Sequence, residues 1–205
     1  MTSSKSPEAR TYADRAFRSP AGLVGGVLLL GLALWLGTDA ILRGEGRTPW
    51  FAVAWLLVVV PSVLAFTLRP VVLAGDDRVR VRNPLRTIDI PWGAVDDFRA
   101  AYSSEVITED GTKYPMWAIP VSLRQRKKAN RQQMKAARTA GTGTDPVGEI
   151  KQAQVDQTIR ELRLLCEHHA ERKSAQGEPV VRWAFELIAP IAAGAVLLIA
   201  LFATG

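Results

Sequence analysis

The chain has 205 residues, with 26 Lys and Arg against 20 Asp and Glu for a formal net charge of +6, and 48% of its residues are hydrophobic. That length accommodates one modest domain with accessory segments, and a single cysteine excludes an internal disulfide. An ordinary soluble domain is also excluded, because the apolar residues gather into three blocks at 21–42, 50–68 and 183–203.

Residues 1–20 form a polar N-terminal tail carrying Lys5, Arg10, Arg15 and Arg18. The first block, 21–42, holds one charge, Asp39, near its end, and the second, 50–68, holds none. A hydrocarbon core of about 30 Å takes about 20 apolar residues in a helix, so each block predicts a transmembrane helix. A cleavable signal peptide would also begin with basic residues, but the first block is too long for one and lacks a small-x-small cleavage site. Within it, Gly22 and Gly26 have the small-xxx-small spacing that lets helices approach closely. Pro61 in the second block and Pro190 in the third predict kinks.

From Val71 the texture changes to β. Val71-Val72-Leu73 leads into a turn at Ala74-Gly75-Asp76-Asp77, after which Val79 and Val81 alternate with Arg78, Arg80 and Arg82. Asn83-Pro84 breaks the run, and Thr87, Ile88, Asp89 and Ile90 resume it. The spacing of Trp92, Val95 and Phe98 fits either a helical turn or a bulged strand. Asp110-Gly111 marks a hairpin turn, with further strand texture from Tyr114 to Leu123. Val79, Val81, Ile88, Ile90, Trp92 and Val95 are the expected core, with Trp92 as an anchor at a corner, while Arg78, Arg80, Arg82, Arg86 and Asp89 are expected to face outward.

Between 124 and 148 the composition becomes basic and nearly free of large apolar residues, including Arg124, Arg126, Lys127, Lys128 and Arg131, which predicts a mobile insertion. From Val147 to about Ser174 the apolar positions Val155, Ile159, Leu162, Leu165, Cys166 and His169 recur at helical spacing, with Arg160, Glu161, Arg163 and Glu167 on the solvent side. Ile159 and Leu162 join the expected core, and Cys166 reads as a core thiol. Residues 175–179 are expected to be a linker to the third transmembrane helix, 183–203, whose only charge is Glu186.

The stretches Asp76-Asp77-Arg78-Val79-Arg80-Val81-Arg82-Asn83 and Ile90-Pro91-Trp92-Gly93-Ala94-Val95 resemble the hallmark of bacterial PH-like domains in actinobacterial membrane proteins. The resemblance covers about 69–123 and the helix 149–173, and the basic insertion departs from a minimal module of this kind. It implies a PH-like antiparallel β-barrel over 69–174, closed at one end by the C-terminal amphipathic helix. Because PH domains that bind inositol lipids use basic residues on their first hairpin, it also makes Arg78, Arg80, Arg82 and Arg86 candidates for contact with a lipid or partner.

The basic residues next to the spans (Arg15, Arg18, Arg69, Arg172, Lys173 and Arg182) place the N-terminus and the PH-like domain in the cytoplasm and the 43–49 hairpin outside the plasma membrane. There is no P-loop, dinucleotide glycine pattern, Cys-x-x-Cys pair or His-Glu-x-x-His. The adjacent His168 and His169 point to different helix faces, and carboxylate pairs such as Asp96-Asp97 sit at turns. No catalytic residue, metal site or cofactor is therefore expected. Basic charge without interleaved aromatic residues does not fit a nucleic-acid partner either. The expected function is that of a non-catalytic, membrane-anchored adaptor or scaffold, binding an unidentified protein or a second copy of itself at the inner face. The alternative is a module that reads anionic phospholipid headgroups, through the strand arginines or through the basic tract at Arg124, Arg126, Lys127, Lys128 and Arg131.

Overall fold

The structure is a computed structural model that describes residues 15–100, 103–119 and 146–204, with side chains from Val155 onward in the last stretch. The basic tract with Arg124, Arg126, Lys127, Lys128 and Arg131 lies outside the described residues.

Three helices are long and apolar enough to cross a membrane: α1 (Pro20–Arg43), α2 (Thr48–Val63, continued by a π-helical turn Leu64–Leu68) and, after the amphipathic helix α3 (Pro146–His169), α4 (Phe185–Ala203). Helix α2 packs between α1 and α4. Small residues make the approach close. A Cβ on Gly26 would lie 2.2 Å from Thr67 Oγ1 of the π turn, and one on Gly194 would lie 2.8 Å from Leu57 Cβ of α2. Pro61, buried within α2, has no N–H to continue the α-helical ladder, and the wider π turn follows it. Away from these contacts the helices present apolar side chains outward: Leu28, Trp35, Val196, Ile199 and Phe202 are each more than 60% exposed.

The β strands form two antiparallel sheets. The first has the order β1–β2–β3–β4–β8, from Arg15–Phe17, Val71–Ala74, Arg78–Arg82, Arg86–Pro91 and Val180–Trp183. The second has the order β5–β6–β7, from Val95–Ala100, Ser104–Thr108 and Lys113–Pro115. This is a PH-like antiparallel sheet domain, but among the described residues the strands do not close into the expected barrel. At Pro91 the chain leaves β4, turns through a 3-10 segment at Trp92–Ala94 and enters β5, so the outer edge of β4 is taken by β8 instead of β5. The spacing of Trp92, Val95 and Phe98 thus reflects both of the alternatives left open: a helical turn at Trp92, then a strand with an irregular register between Val95 and Asp97.

Both sheets and α3 share one core. Period two places Val79 and Val81 of β3 opposite Ile90 and Ile88 of β4, and Phe98 and Val106 come from the second sheet. Ile159 and Leu162 of α3 complete it. Trp92 is wholly buried at the junction, where its Nε1 donates to the Gly75 carbonyl at 2.9 Å. Its ring meets Phe98 edge-on at 6.3 Å and stacks on His169 of α3 at 6.2 Å. The Asn83-Pro84 break proves to be a cross-link. The buried Asn83 side chain donates Nδ2 to the Pro115 carbonyl at 2.7 Å and accepts from the Trp117 N–H at 3.2 Å, joining the β3–β4 turn to the end of β7.

Two segments depart from the sequence reading. Arg15–Phe17, expected as part of a tail, pairs with β2, and Arg15 also reaches Glu161 of α3. Beyond α3, Ala175 at the start of the expected linker is buried, and just past that linker, at Val180–Trp183, the chain forms β8 along β4, so that α4 begins at Phe185 and not at 183.

Truncating Trp92 to Ala should lower the unfolding free energy of the full chain in detergent by about 3–5 kcal/mol, read from a urea titration followed by near-UV circular dichroism. An unchanged midpoint would show that the indole does not hold the two sheets and α3 together.

Candidate functional site

Strand register brings a group of charged side chains onto the outer face of the first sheet. Arg80 is opposite Asp89, Arg82 is opposite Thr87, and Thr87 is in turn opposite Arg182 of β8. Directly opposed side chains in an antiparallel pair lie on the same face. Next to this face lie Arg69, just past the π turn of α2, and Glu186 in the first turn of α4. Arg69, Arg80, Arg82, Thr87, Asp89, Arg182, Trp183 and Glu186 line an open cleft of about 440 Å³ where the sheet meets the helix ends.

Asp89 carries much of the electrostatic organisation. Expected to face solvent, its side chain is on the outward side but only 2% exposed, because the Arg80 guanidinium lies over it, with Nε bonded to Oδ1. Arg182 Nη2 is 3.9 Å from the other carboxylate oxygen, within ion-pair range but beyond a hydrogen bond. Glu186 accepts from Arg69 Nη1 at 2.7 Å, and Arg69 Nη2 donates to Thr87 Oγ1 at 3.1 Å. Arg69 Nε is buried with no hydrogen-bond partner. The Arg82 side chain makes no hydrogen bond or ion pair with a described residue. Four guanidinium groups against two carboxylates leave the cleft with an excess of positive charge.

The four strand arginines singled out from the sequence therefore separate. Arg80 and Arg82 line the cleft, whereas Arg78 and Arg86 do not. Arg86, expected to face outward, is opposite Trp183 and has the parity of Ile88 and Ile90, which places it on the core side at the end of β4. Arg69, Thr87, Trp183 and Glu186 were not anticipated as site residues, nor was Arg182. Apart from Thr87 within β4, their signal in the sequence is faint: charged or aromatic residues at the ends of apolar blocks, a position that by itself suggests only a helix boundary.

Cys166, His169 and Asp97, considered for chemistry, have structural partners. Cys166 packs against the core, its Sγ 3.6 Å from the Trp92 carbonyl oxygen, and burial, helped by the Glu167 charge, pushes its pKa up to about 11. At neutral pH it is a protonated thiol, which is a poor nucleophile. His169 has Nδ1 2.7 Å from the Leu165 carbonyl oxygen, and His168 is exposed. Asp97 pairs with Arg163 of α3 at 3.0 Å, tying that helix to β5. Among the described residues no group of three or more His, Cys, Asp or Glu is placed to hold a metal ion.

Residues 69–140 match the family model of the bacterial PH domain. No curated protein and no solved structure matches the chain.

Replacing Arg80 by Met removes the closest cation from a buried carboxylate and should cost about 3 kcal/mol of stability, whereas Asp89→Asn leaves a partly solvated arginine and should cost less. Equal losses in urea titrations of the two variants would mean that Asp89 is not held by Arg80. The Cys166 thiol should resist maleimide at pH 7.5 in the folded chain and react promptly once urea is added, because only unfolding restores an ordinary thiol pKa; prompt labelling of the folded chain would contradict this.

Proposed function

We propose, for a chain whose residues 69–140 match the bacterial PH domain, that it is a non-catalytic adaptor held at the inner face of the plasma membrane by three transmembrane helices, and that its partner docks on the edge of β8 that is unpaired among the described residues. A PH-like domain is an interaction module for proteins or lipids, and the three long apolar helices with outward-facing Leu, Val, Ile and Trp supply the membrane association.

The geometry of the helix ends supports this arrangement. At one end Arg47, before α2, donates Nη2 to the Leu201 carbonyl at 2.8 Å and to Thr204 Oγ1 at 2.7 Å, joining the 43–49 hairpin to the end of α4. At the other end the β1–β2 ladder and the Arg69–Glu186 ion pair join the start of α1, the end of α2 and the start of α4 to the sheet domain. With Arg15, Arg18, Arg69 and Arg182 on the domain side, the excess of Lys and Arg near the spans supports a cytoplasmic placement of that side.

The observation that carries the adaptor reading is the edge of β8. The Ala184 N–H donates to the Leu85 carbonyl at 2.9 Å, which makes 184 and 85 a hydrogen-bonded pair. Alternate residues of an antiparallel ladder bond the neighbouring strand, so Arg182 and Val180 bond β4 while the backbone groups of Val181 and Trp183 face the open edge. Edge strands are usually blunted by charge, bulges or covering elements. Here Val180, Val181 and Trp183 are 46%, 40% and 56% exposed, which suits a partner that adds a strand through its main chain and fills the apolar positions. The arginine cleft favours a second reading, recognition of an anionic headgroup, developed in the next subsection.

Reporter fusions should place the N-terminus inside and residue 205 outside; cytoplasmic labelling of the C-terminus would refute the three-span topology. A photo-crosslinking residue at Val180 of the full chain in native membranes should capture one discrete protein species, and Val181→Pro should reduce capture at least tenfold. That substitution removes an outward N–H that β4 does not use, and proline is tolerated on edge strands. Capture unaffected by Val181→Pro would rule out docking on this edge.

A further inference from the structure

We propose that the cleft between the outer face of the first sheet and the ends of α2 and α4 is a phosphate-binding site, with Arg82 and Arg182 as the principal ligands and Arg69 and Thr87 completing it. The proposal does not depend on the adaptor reading; the membrane placement matters only for whether the phosphate belongs to a lipid.

Three observations converge on an anionic ligand. Each carboxylate in the cleft already has a closely bound cation, Arg80 on Asp89 and Arg69 on Glu186. This leaves Arg182 at 3.9 Å from Asp89 and Arg82 without a partner among the described residues. Both side chains stand on the face that carries Thr87, since Thr87 is opposite Arg82 on one side and Arg182 on the other, so the two guanidinium groups flank one hydroxyl. Finally, Arg69 Nε is buried and unsatisfied beside them, although a buried charged donor without an acceptor is costly. A tetrahedral oxyanion suits this set. Guanidinium groups offer planar paired donors to phosphate, Thr87 Oγ1, which accepts from Arg69, still has its own proton to donate, and a volume of about 440 Å³ holds a phosphate with a small alcohol attached.

A solvated strand face with internal ion pairs accounts for Arg80 and Asp89 but not for Arg82, which pairs with nothing described, nor for the meeting of residues from β3, β4, β8 and two helix ends. The position also favours a headgroup as the source of the phosphate. Arg69 and Glu186 are at the ends of apolar helices, and the exposed Trp183 of β8, next to Arg182 in the chain, is the kind of residue that settles at a membrane–water interface.

The test uses the full chain, delipidated in an uncharged detergent at about 0.1 M salt, where exposed charges are screened beyond about 10 Å. It is titrated separately with phosphatidylglycerol in mixed micelles, with inorganic phosphate and with phosphatidylcholine as a control, reading the melting temperature and the stoichiometry by native mass spectrometry. Phosphatidylglycerol should raise the melting temperature saturably, with one bound molecule. Arg82→Gln should weaken binding about tenfold without changing the melting temperature of the unliganded chain, because it breaks no ion pair. Arg182→Gln should weaken binding to a similar extent while slightly lowering the melting temperature of the unliganded chain, because it removes the 3.9 Å ion pair with Asp89, and the double variant should abolish binding. Replacing Arg124, Arg126, Lys127, Lys128 and Arg131 by Gln should leave the single tight site intact. A saturable response to inorganic phosphate that Arg82→Gln removes would support the site and assign it to free phosphate. The proposal is overturned if neither probe binds, if binding persists in the double variant, or if only the tract substitutions remove it. Val181→Pro should not alter phosphate binding, so failure on the β8 edge and failure in the cleft are separable.

Discussion

The indole of Trp92 is the contact on which the domain is built. It lies where β4 ends and β5 begins, so it belongs to both sheets by sequence, and it touches the third layer, α3, through His169. A buried Trp must satisfy its N–H, and this one does so on the Gly75 carbonyl, in the turn between β2 and β3. One side chain thus locks the first hairpin, the corner between the sheets and the helix. The Trp92 carbonyl beside Cys166 and the Arg163 contacts to Asp97 and to the Phe98 carbonyl extend the same junction along α3.

Because the core is closed at that corner, the outer edges of the first sheet are free to serve as attachments. β1 leads directly into α1 and β8 directly into α4, so the sheet is strapped to the helices at both of its edges, and β2 follows α2 by only a few residues. The edge-on contact of Phe66 with Trp117 and the Arg69–Glu186 pair add side-chain links across the same boundary. A domain tied in this way has little freedom to swing away from the helices, so the cleft and the β8 edge keep a fixed depth relative to the helix ends.

The arginines of the first hairpin divide between two tasks. Arg80 lies over a buried Asp89, an arrangement in which the ion pair compensates desolvation and removal of one partner is far costlier than its presence is stabilising. Arg82, two residues along the same face, has no such partner among the described residues and faces Thr87 and the helix ends. Identical residues in one alternating run thus meet different surroundings, because Asp89 occupies only one of the two opposing positions.

The sequence by itself determined the elements whose signal is local. Three apolar blocks of spanning length, the period-two run of Val79, Val81, Ile88 and Ile90, the turn at Gly75, the period of α3 and the Pro-Trp corner typical of a bacterial PH domain can all be read from neighbouring residues, because burial of one face imposes its period on the chain. What only the tertiary structure decided is pairing between distant segments. Nothing near Arg15 or Val180 announces that each completes a sheet whose other strands lie more than 50 residues away, since a strand of three or four residues with mixed polarity looks like a tail or a linker until a partner edge is present. The same holds for the cleft. Alternation says that Arg80, Arg82 and Asp89 share a face, but it does not reveal that Asp89 is buried under Arg80, that Arg86 sits on the opposite parity, or that Arg69, Arg182 and Glu186 arrive from helix ends and β8. Periodicity encodes which way a side chain points; cross-strand register and the meeting of helix ends decide what it points at.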